Sequence, residues 1–198
     1  MKKNAIKTAF CAVAAILILT GIVSAAKQES LAKSLIRLHI VGASDSEADQ
    51  NVKLAVRDAV MEKYGEAFGR IGEVKTGEQF IRENLSDIET LANDTLNDAG
   101  SSDRARAYIE EAYFPTRVYD SFTLPPGRYR ALKIDIGAAK GQNWWCVLFP
   151  PLCMGAAESL EDSGLTEGEI AVITTDSEVI RLKFKTVELY YKACSLLR

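Results

Sequence analysis

The most constraining feature of the sequence is a run of six apolar residues from Trp144 to Phe149. A strand with one face in water alternates polar and apolar residues. This run has no polar position, so we predict a central strand that is buried on both faces. Pro150 and Pro151 follow directly and lack the backbone N–H groups that a sheet needs. The strand must therefore end at Phe149.

The N-terminal half predicts one strand followed by two helices. Leu35–Val41 alternates as a strand, with Ile36, Leu38 and Ile40 on one face and Arg37 and His39 on the other. Ser46 and Asp49 have capping-box-like spacing and begin a helix. The apolar residues of this helix that we expect to face inward are Val52, Val56, Ala59 and Val60.

Glycines from Gly65 to Gly77 predict a break before the second helix. Thr76 and Gln79 again have capping-box spacing, and Gly100 marks the end of this helix. Its inward stripe has the clearest helical period of the chain: Ile81, Leu85, Ile88, Ala92 and Leu96.

The C-terminal half changes to a period typical of strands. Arg106–Phe114 is predicted to be extended, and a turn at Pro125–Gly127 precedes a strand containing Leu132, Ile134 and Ile136. We expect the loop 137–142 to join that strand to Trp144–Phe149 as a hairpin. Ala156–Asp162 is a candidate short helix. The last segment has five apolar residues at helical spacing: Ile180, Phe184, Val187, Tyr191 and Cys194. Val179–Phe184 could equally be extended. These elements predict one α+β domain over residues 27–198, with a mixed sheet and helices packed mainly on one face.

The N-terminus carries the features of an export leader. Lys2, Lys3 and Lys7 precede an uncharged run over residues 8–26, which as a helix would be about 28 Å long, nearly the thickness of a bilayer core. Small residues from Ser24 to Ala26 suit signal-peptide cleavage. We expect residues 1–26 to be a cleaved signal peptide, a membrane anchor over residues 8–26 being the alternative. Either reading places residues 27–198 outside the cytoplasm.

The charge balance argues against nucleic acid as a partner. The full chain has a formal net charge of −3, and loss of the three leader lysines would make the remainder more acidic. Binding to the phosphate backbone requires a basic stripe, which this sequence lacks.

His39 is the sole histidine of the sequence, and this restricts the catalytic possibilities. A thiol hydrolase would have to pair it with Cys146 or Cys153. A position inside a strand favours a structural imidazole instead. A zinc site would need Cys146, Cys153 and Cys194 as well, without the short knuckle spacing typical of zinc ligands. We therefore predict no catalytic residue, no metal and no cofactor.

The cysteines leave one question open. Cys146 and Cys153 flank the two prolines, so a disulfide between them is geometrically feasible, and an extracytoplasmic compartment would permit it. Cys146 in a buried strand is equally well explained as a small hydrophobic residue. Cys194 would be left over in either case.

Three blocks of sequence resemble the stage II sporulation protein R family. The first runs from Leu35 to Ser46 and continues through Asp58; the second covers Tyr113–Thr116 with Tyr119, and Leu124–Gly127 with Tyr129; the third is Asn143–Cys153. They occur in the family's order over residues 35–154.

The resemblance implies a protein made in the forespore and exported into the space between the two sporulating membranes. There it would activate a membrane-embedded aspartic protease of the mother cell, which removes the pro-sequence of a sigma factor. It implies no enzymatic activity and no small-molecule substrate.

Asp49, Lys53 and Arg57 recur every four residues and form a polar stripe on the first predicted helix. The simplest interpretation is a solvated face stabilised by a few tenths of a kcal/mol from side-chain pairing. Because these residues fall within the block that resembles the family, we also consider them candidates for contacting the protease.

Overall fold

The computed structural model describes residues 26–152, 163–176, 178–180 and 184–185. Residues 26–33 are helical and are named α1. The elements that follow are β1 (Ile36–Val41), α2 (Glu47–Arg70), α3 (Val74–Glu83), α4 (Leu85–Asp98), β2 (Ala105–Phe114), β3 (Arg117–Val118), β4 (Thr123–Leu124), β5 (Gly127–Ile136), β6 (Asn143–Phe149) and α5 (Glu167–Ile173).

Strand β1 lies inside a four-stranded mixed sheet with the order β2-β5-β1-β6. It runs parallel to β5 and antiparallel to β6. The mixed sheet of the predicted α+β domain is thus confirmed, but the predicted β5–β6 hairpin is wrong because β1 occupies the space between those strands. The connecting loop bonds to the end of β1 instead: the N–H of Gly141 donates to the carbonyl of Gly42 over 2.9 Å.

Strand β6 is the edge strand of these four, so the prediction of a central position is also wrong. The predicted burial holds for residues Cys146 to Phe149, while Trp144 and Trp145 are half-buried. Cys146 packs in the core on one face of the sheet and Val147 in the core on the other. A continuous apolar run therefore follows from cover on both faces and does not require a neighbouring strand on each side.

Helices α2, α3 and α4 pack on one face of the sheet, as predicted. Four residues of the predicted stripe are fully buried: Ile81, Ile88, Ala92 and Leu96. The fifth, Leu85, is partly buried and packs against the same core. Helix α2 begins where predicted, since the side chain of its N-cap Ser46 accepts a hydrogen bond from the N–H of Asp49. It then continues through Gly65 and Gly69, which were expected to interrupt it.

The second predicted helix is two helices, α3 and α4, which meet at Asn84. The predicted N-cap at Thr76 is wrong: α3 begins after Glu73, which makes no side-chain capping hydrogen bond. The predicted end of the second helix is confirmed at Gly100, whose φ of 72° is a left-handed conformation that glycine adopts without steric cost.

The described residues cover the opposite face of the sheet only in part. A second hydrophobic cluster includes Leu31 of α1, Leu124 of β4, Val147 of β6 and Ile173 of α5, a helix that the sequence pattern did not predict. Residues 178–180 and 184–185 are helical, in favour of the helical reading of the last segment. The predicted helix Ala156–Asp162 lies outside the described residues, as do Val187, Tyr191 and Cys194.

Candidate functional site

The partly covered face of the sheet brings the three family-like blocks together. Side chains from β1, β2, β5 and β6 meet there with the β3–β4 hairpin. We call this group the aromatic–arginine cluster, and its members are Arg37, His39, Phe114, Arg117, Tyr119, Tyr129 and Trp145.

Arg37 lies at the base of the cluster and is fully buried. Its Nε donates to the carbonyl of Cys146 over 2.8 Å, and its Nη2 donates to Oη of Tyr119 over 2.7 Å. The guanidinium carbon lies 4.3 Å from the ring centroid of Phe114 and 5.1 Å from that of Tyr129. Within the described part of the chain, Arg37 has no carboxylate partner and its Nη1 has no hydrogen-bond partner. Among the described residues, this buried cation is therefore held by aromatic rings and neutral oxygens.

His39 is a neutral, structural residue of the same cluster. Its ring stacks on Trp145 with centroids 3.9 Å apart, and its Nε2 lies 2.6 Å from Oδ1 of Asn143. Because an amide oxygen only accepts, Nε2 carries the proton in this arrangement. Burial lowers the pKa of His39 to about 4, against the opposing effect of the Asn143 hydrogen bond. The imidazole is therefore uncharged at neutral pH.

The β3–β4 hairpin supplies the outer part of the cluster. Tyr119 and Phe122 stack with centroids 4.5 Å apart, and the N–H of Tyr119 donates to the carbonyl of Phe122 over 2.8 Å. The guanidinium of Arg117 lies 5.1 Å from the ring centroid of Trp145. Burial lowers the pKa of Arg117, and the positive charge of Arg37 adds to that effect. Two cations thus share one aromatic surface.

Tyr129 lies on the buried side of the cluster and connects the cluster to the turn 125–127. It is fully buried, and its hydroxyl donates to the carbonyl of Pro125 over 2.7 Å. Burial raises the pKa of Tyr129 to about 12, although the charge of Arg37 acts in the opposite direction. Tyr129 therefore stays protonated and acts as a neutral hydrogen-bond donor.

The predicted polar stripe of α2 lies on the other side of the sheet and is not a solvated face. Lys53 is only 4% exposed, and its Nζ donates to the carbonyl of Gln142 over 3.1 Å. Arg57 lies over the ring of Trp144, 4.4 Å from its centroid, and pairs with Asp58. Asp49 accepts a hydrogen bond from Ser44 Oγ at the start of α2. The predicted exposure of Lys53 is wrong, because this side chain is buried and links α2 to the β5–β6 loop through a hydrogen bond.

Cys146 and His39 point to opposite faces of the sheet. Cys146 pairs in register with Leu38 and packs among the residues under α2–α4, whereas His39 pairs with Trp145 on the other face. A Cys146–His39 dyad is therefore incompatible with the fold. Cys153 lies outside the described residues, so its disulfide with Cys146 and its pairing with His39 remain untested. The described residues also contain no group of three or more His, Cys, Asp or Glu side chains arranged to hold a metal ion.

Sequence reasoning did not single out Arg37 or Arg117. The available signal for Arg37 was a long cation between apolar neighbours in a strand of the first family-like block. Such a residue is expensive to bury and needs a specific environment. Arg117 carried no such signal, because its role depends on the β3–β4 hairpin folding over Trp145.

A separate open groove of about 850 Å³ lies between α1, the start of α3 and the start of β5. Three of the cations that line it form ion pairs: Lys33 with Glu29, Arg128 with Glu111 and Arg130 with Glu78.

Comparison with known proteins identifies the family. The family model described as stage II sporulation protein R matches residues 32–159. The protein named stage II sporulation protein R from Bacillus subtilis (strain 168) is 35% identical, over 74% of this chain and 70% of its own length. The chain belongs to the stage II sporulation protein R family. It accordingly has a role in sporulation.

The part of the chain that matches the family contains every residue of the aromatic–arginine cluster, as well as Asp49, Lys53 and Arg57. No solved structure matches the chain significantly. Among the described helices, none combines the length and the apolar character needed to span a membrane.

Proposed function

We propose that this protein is a secreted sporulation signal that acts by contact. It is exported from the forespore into the intermembrane space, where it activates a membrane-embedded aspartic protease of the mother cell. The protease then removes the pro-sequence of a sigma factor. The signal itself contributes binding energy and no catalytic group.

The aromatic–arginine cluster is the observation that supports this proposal most. Tryptophan, tyrosine and arginine dominate the binding energy of protein interfaces, because they combine large apolar surfaces with polar groups of fixed geometry. Trp145, Arg117 and Tyr119 are half-buried, so each keeps some surface for a partner. The residues beneath them are fully buried and hold them in place without a bound partner.

Activation by contact requires only that the signal bind one state of the protease more tightly than another. A ligand shifts a conformational equilibrium by as much as its differential affinity for the two states. We infer that the favoured state is the protease dimer. A rigid sheet carrying pre-positioned aromatic side chains suits this role, since little conformational entropy is lost on binding.

The alternative function is a secreted thiol hydrolase that uses His39 with Cys146 or Cys153. The opposite orientations of Cys146 and His39 argue against the first pair. The neutral His39 is stacked on Trp145 and bonded to Asn143, which are contacts that restrain a general base rather than present it to a substrate.

Reconstitution in a non-sporulating bacterium tests the proposal. The chain, the protease and the pro-sigma factor are produced together, and the processed fraction is measured by immunoblotting against a culture that lacks the chain. Processing should depend on the chain and should persist with His39→Gln and with Cys146→Ser, provided that each variant is folded.

A general base typically contributes at least about a hundredfold to a rate. A folded His39→Gln protein that lost processing to that degree would favour the hydrolase. If the wild-type chain fails to cause processing, activation of this protease is the wrong function.

A further inference from the structure

The two arginines of the aromatic–arginine cluster form an excess of positive charge that the described residues do not balance. Neither Arg37 nor Arg117 forms an ion pair with a carboxylate in the described part of the chain, and both retain a buried N–H group without a partner there: Nη1 of Arg37 and Nε of Arg117. Uncompensated buried charge is costly, so an anion that reaches it gains binding energy.

Neighbouring charges on the same face of the sheet behave differently. Lys133 lies 3.4 Å from a carboxylate oxygen of Asp135 and 3.6 Å from one of Glu110, and the hydroxyl of Tyr108 donates to Asp135. That group is balanced internally. Among the described residues, the buried guanidinium N–H groups without a partner on this face are therefore those of Arg37 and Arg117.

The positions of the two arginines differ in a way that defines the site. Arg37 is fully buried beneath Tyr119, whereas Arg117 is half-buried beside Trp145. A ligand can thus contact Arg117 directly, while the buried guanidinium of Arg37 attracts it electrostatically without direct contact. Guanidinium groups bind carboxylates through two parallel hydrogen bonds, and a flanking indole supplies an apolar wall for the rest of the ligand.

We propose that Arg117, Trp145 and Tyr119, above the buried Arg37, form a binding site for a carboxylate side chain of an acidic protein segment. Building on the proposed function, the segment belongs to a part of the protease that faces the intermembrane space. The acidic character of the whole chain, with a net charge of −3, disfavours an extended polyanion such as nucleic acid or an anionic membrane. One local cationic site fits a single carboxylate better.

The first test needs no protease. The full chain, labelled with ¹⁵N, is titrated with N-acetylglutamate and, separately, with its neutral isostere N-acetylglutamine, while the NMR signals of the Arg117 Nε–H and the Trp145 indole are followed. We expect saturable shifts with the acid and at least a tenfold weaker response with the amide. Arg117→Gln should abolish the shift of the Trp145 indole. Equal responses to the two ligands, or no saturable response to the acid, would overturn the carboxylate site.

The second test uses the reconstituted processing assay. Arg117→Glu should reduce processing at least tenfold, and Arg117→Lys should be intermediate because it keeps the charge but loses the planar fork. Arg104→Glu is the charge-matched control, since Arg104 is exposed and lies outside the cluster. Substituting lysine for the contacted acid of the protease should restore processing with Arg117→Glu.

The outcomes separate the two proposals. Processing that needs the chain but is unchanged by Arg117→Glu, or is reduced equally by Arg104→Glu, would reject the site and keep the function. Absence of processing with the wild-type chain would reject the function, and the titration would still decide whether the carboxylate site exists.

Discussion

The imidazole of His39 lies nearly parallel to the indole of Trp145, with ring centroids 3.9 Å apart and an angle of 14° between the planes. This contact joins the middle of the sheet to its β6 edge and excludes water from the histidine. It also makes the protonation of His39 unfavourable in the folded protein, which has a measurable consequence.

Folding stability should fall as the pH is lowered from about 6.5 to about 4 because of His39. Its pKa in the folded protein is about 4, below the ordinary value of 6.5, so the unfolded chain binds the proton more readily in this range. The contribution is present above pH 6.5 and is lost as the pH falls toward 4. It amounts to about 3 kcal/mol. Urea unfolding at several pH values should show a shallower decline for His39→Gln, whose remaining slope reports the carboxylates.

Val147 should tolerate no charge. It is fully buried against the aromatic–arginine side of the sheet, so Val147→Asp would place a carboxylate there at a cost of several kcal/mol, roughly the whole stability of a domain. We expect insoluble or unfolded protein by circular dichroism. Val118→Asp is the matched control, because Val118 is 51% exposed and this change should alter the stability by less than about 0.5 kcal/mol. Similar melting of both variants would contradict the assignment of β6 to the core.

Charge reversal on α2 should reduce stability, in contrast to the expectation for a solvated stripe. Lys53→Glu removes the hydrogen bond to the Gln142 carbonyl and buries a carboxylate, at a cost of about 2–3 kcal/mol. Arg57→Glu removes the contact with the Trp144 ring, at a cost of about 1 kcal/mol. Thermal unfolding should rank Lys53→Glu below Arg57→Glu, and both below Lys140→Glu, whose side chain is exposed. A contribution of Lys53 or Arg57 to protease binding stays a prediction, to be measured only in variants shown to be folded.

The leader should be absent from protein recovered outside the membrane. Cleavage after Ala26 would leave a chain that begins at Lys27, and intact-mass spectrometry would detect the loss of about 26 residues. Detection of the full-length mass in the membrane fraction alone would establish the anchor reading instead.

Local periodicity predicted the elements of this fold well because it reports which side of an element is buried. The apolar stripe of Ile81, Ile88 and Leu96 is the core-facing side of α3 and α4, and the alternation of Leu132, Ile134 and Ile136 gives the helix-facing side of β5. These patterns depend on the 3.6-residue and two-residue periods of the backbone alone.

The order of the strands could not be predicted in the same way. Nothing in the loop 137–142 indicates that β1 lies between β5 and β6, since the loop would suit a direct hairpin equally well. The burial of Lys53 could not be predicted for the same reason. Its hydrogen-bond partner is the carbonyl of Gln142, 89 positions away in sequence, and the periodicity of a helix carries no information about such contacts. The aromatic–arginine cluster also depends on strand order, because it is assembled from four strands and a hairpin.

The placement of β1 between β5 and β6 determines when this chain can fold during its synthesis. The side chain of Arg37 bonds to the carbonyl of Cys146, 109 positions later, so both neighbours of β1 leave the ribosome long after β1 itself. Loop closure over such distances slows folding. Until β5 has emerged, both hydrogen-bonding edges of β1 are unpaired, and the edge that pairs with β6 stays unpaired until Phe149 has emerged. An unpaired strand edge of this kind is a ready target for holding chaperones.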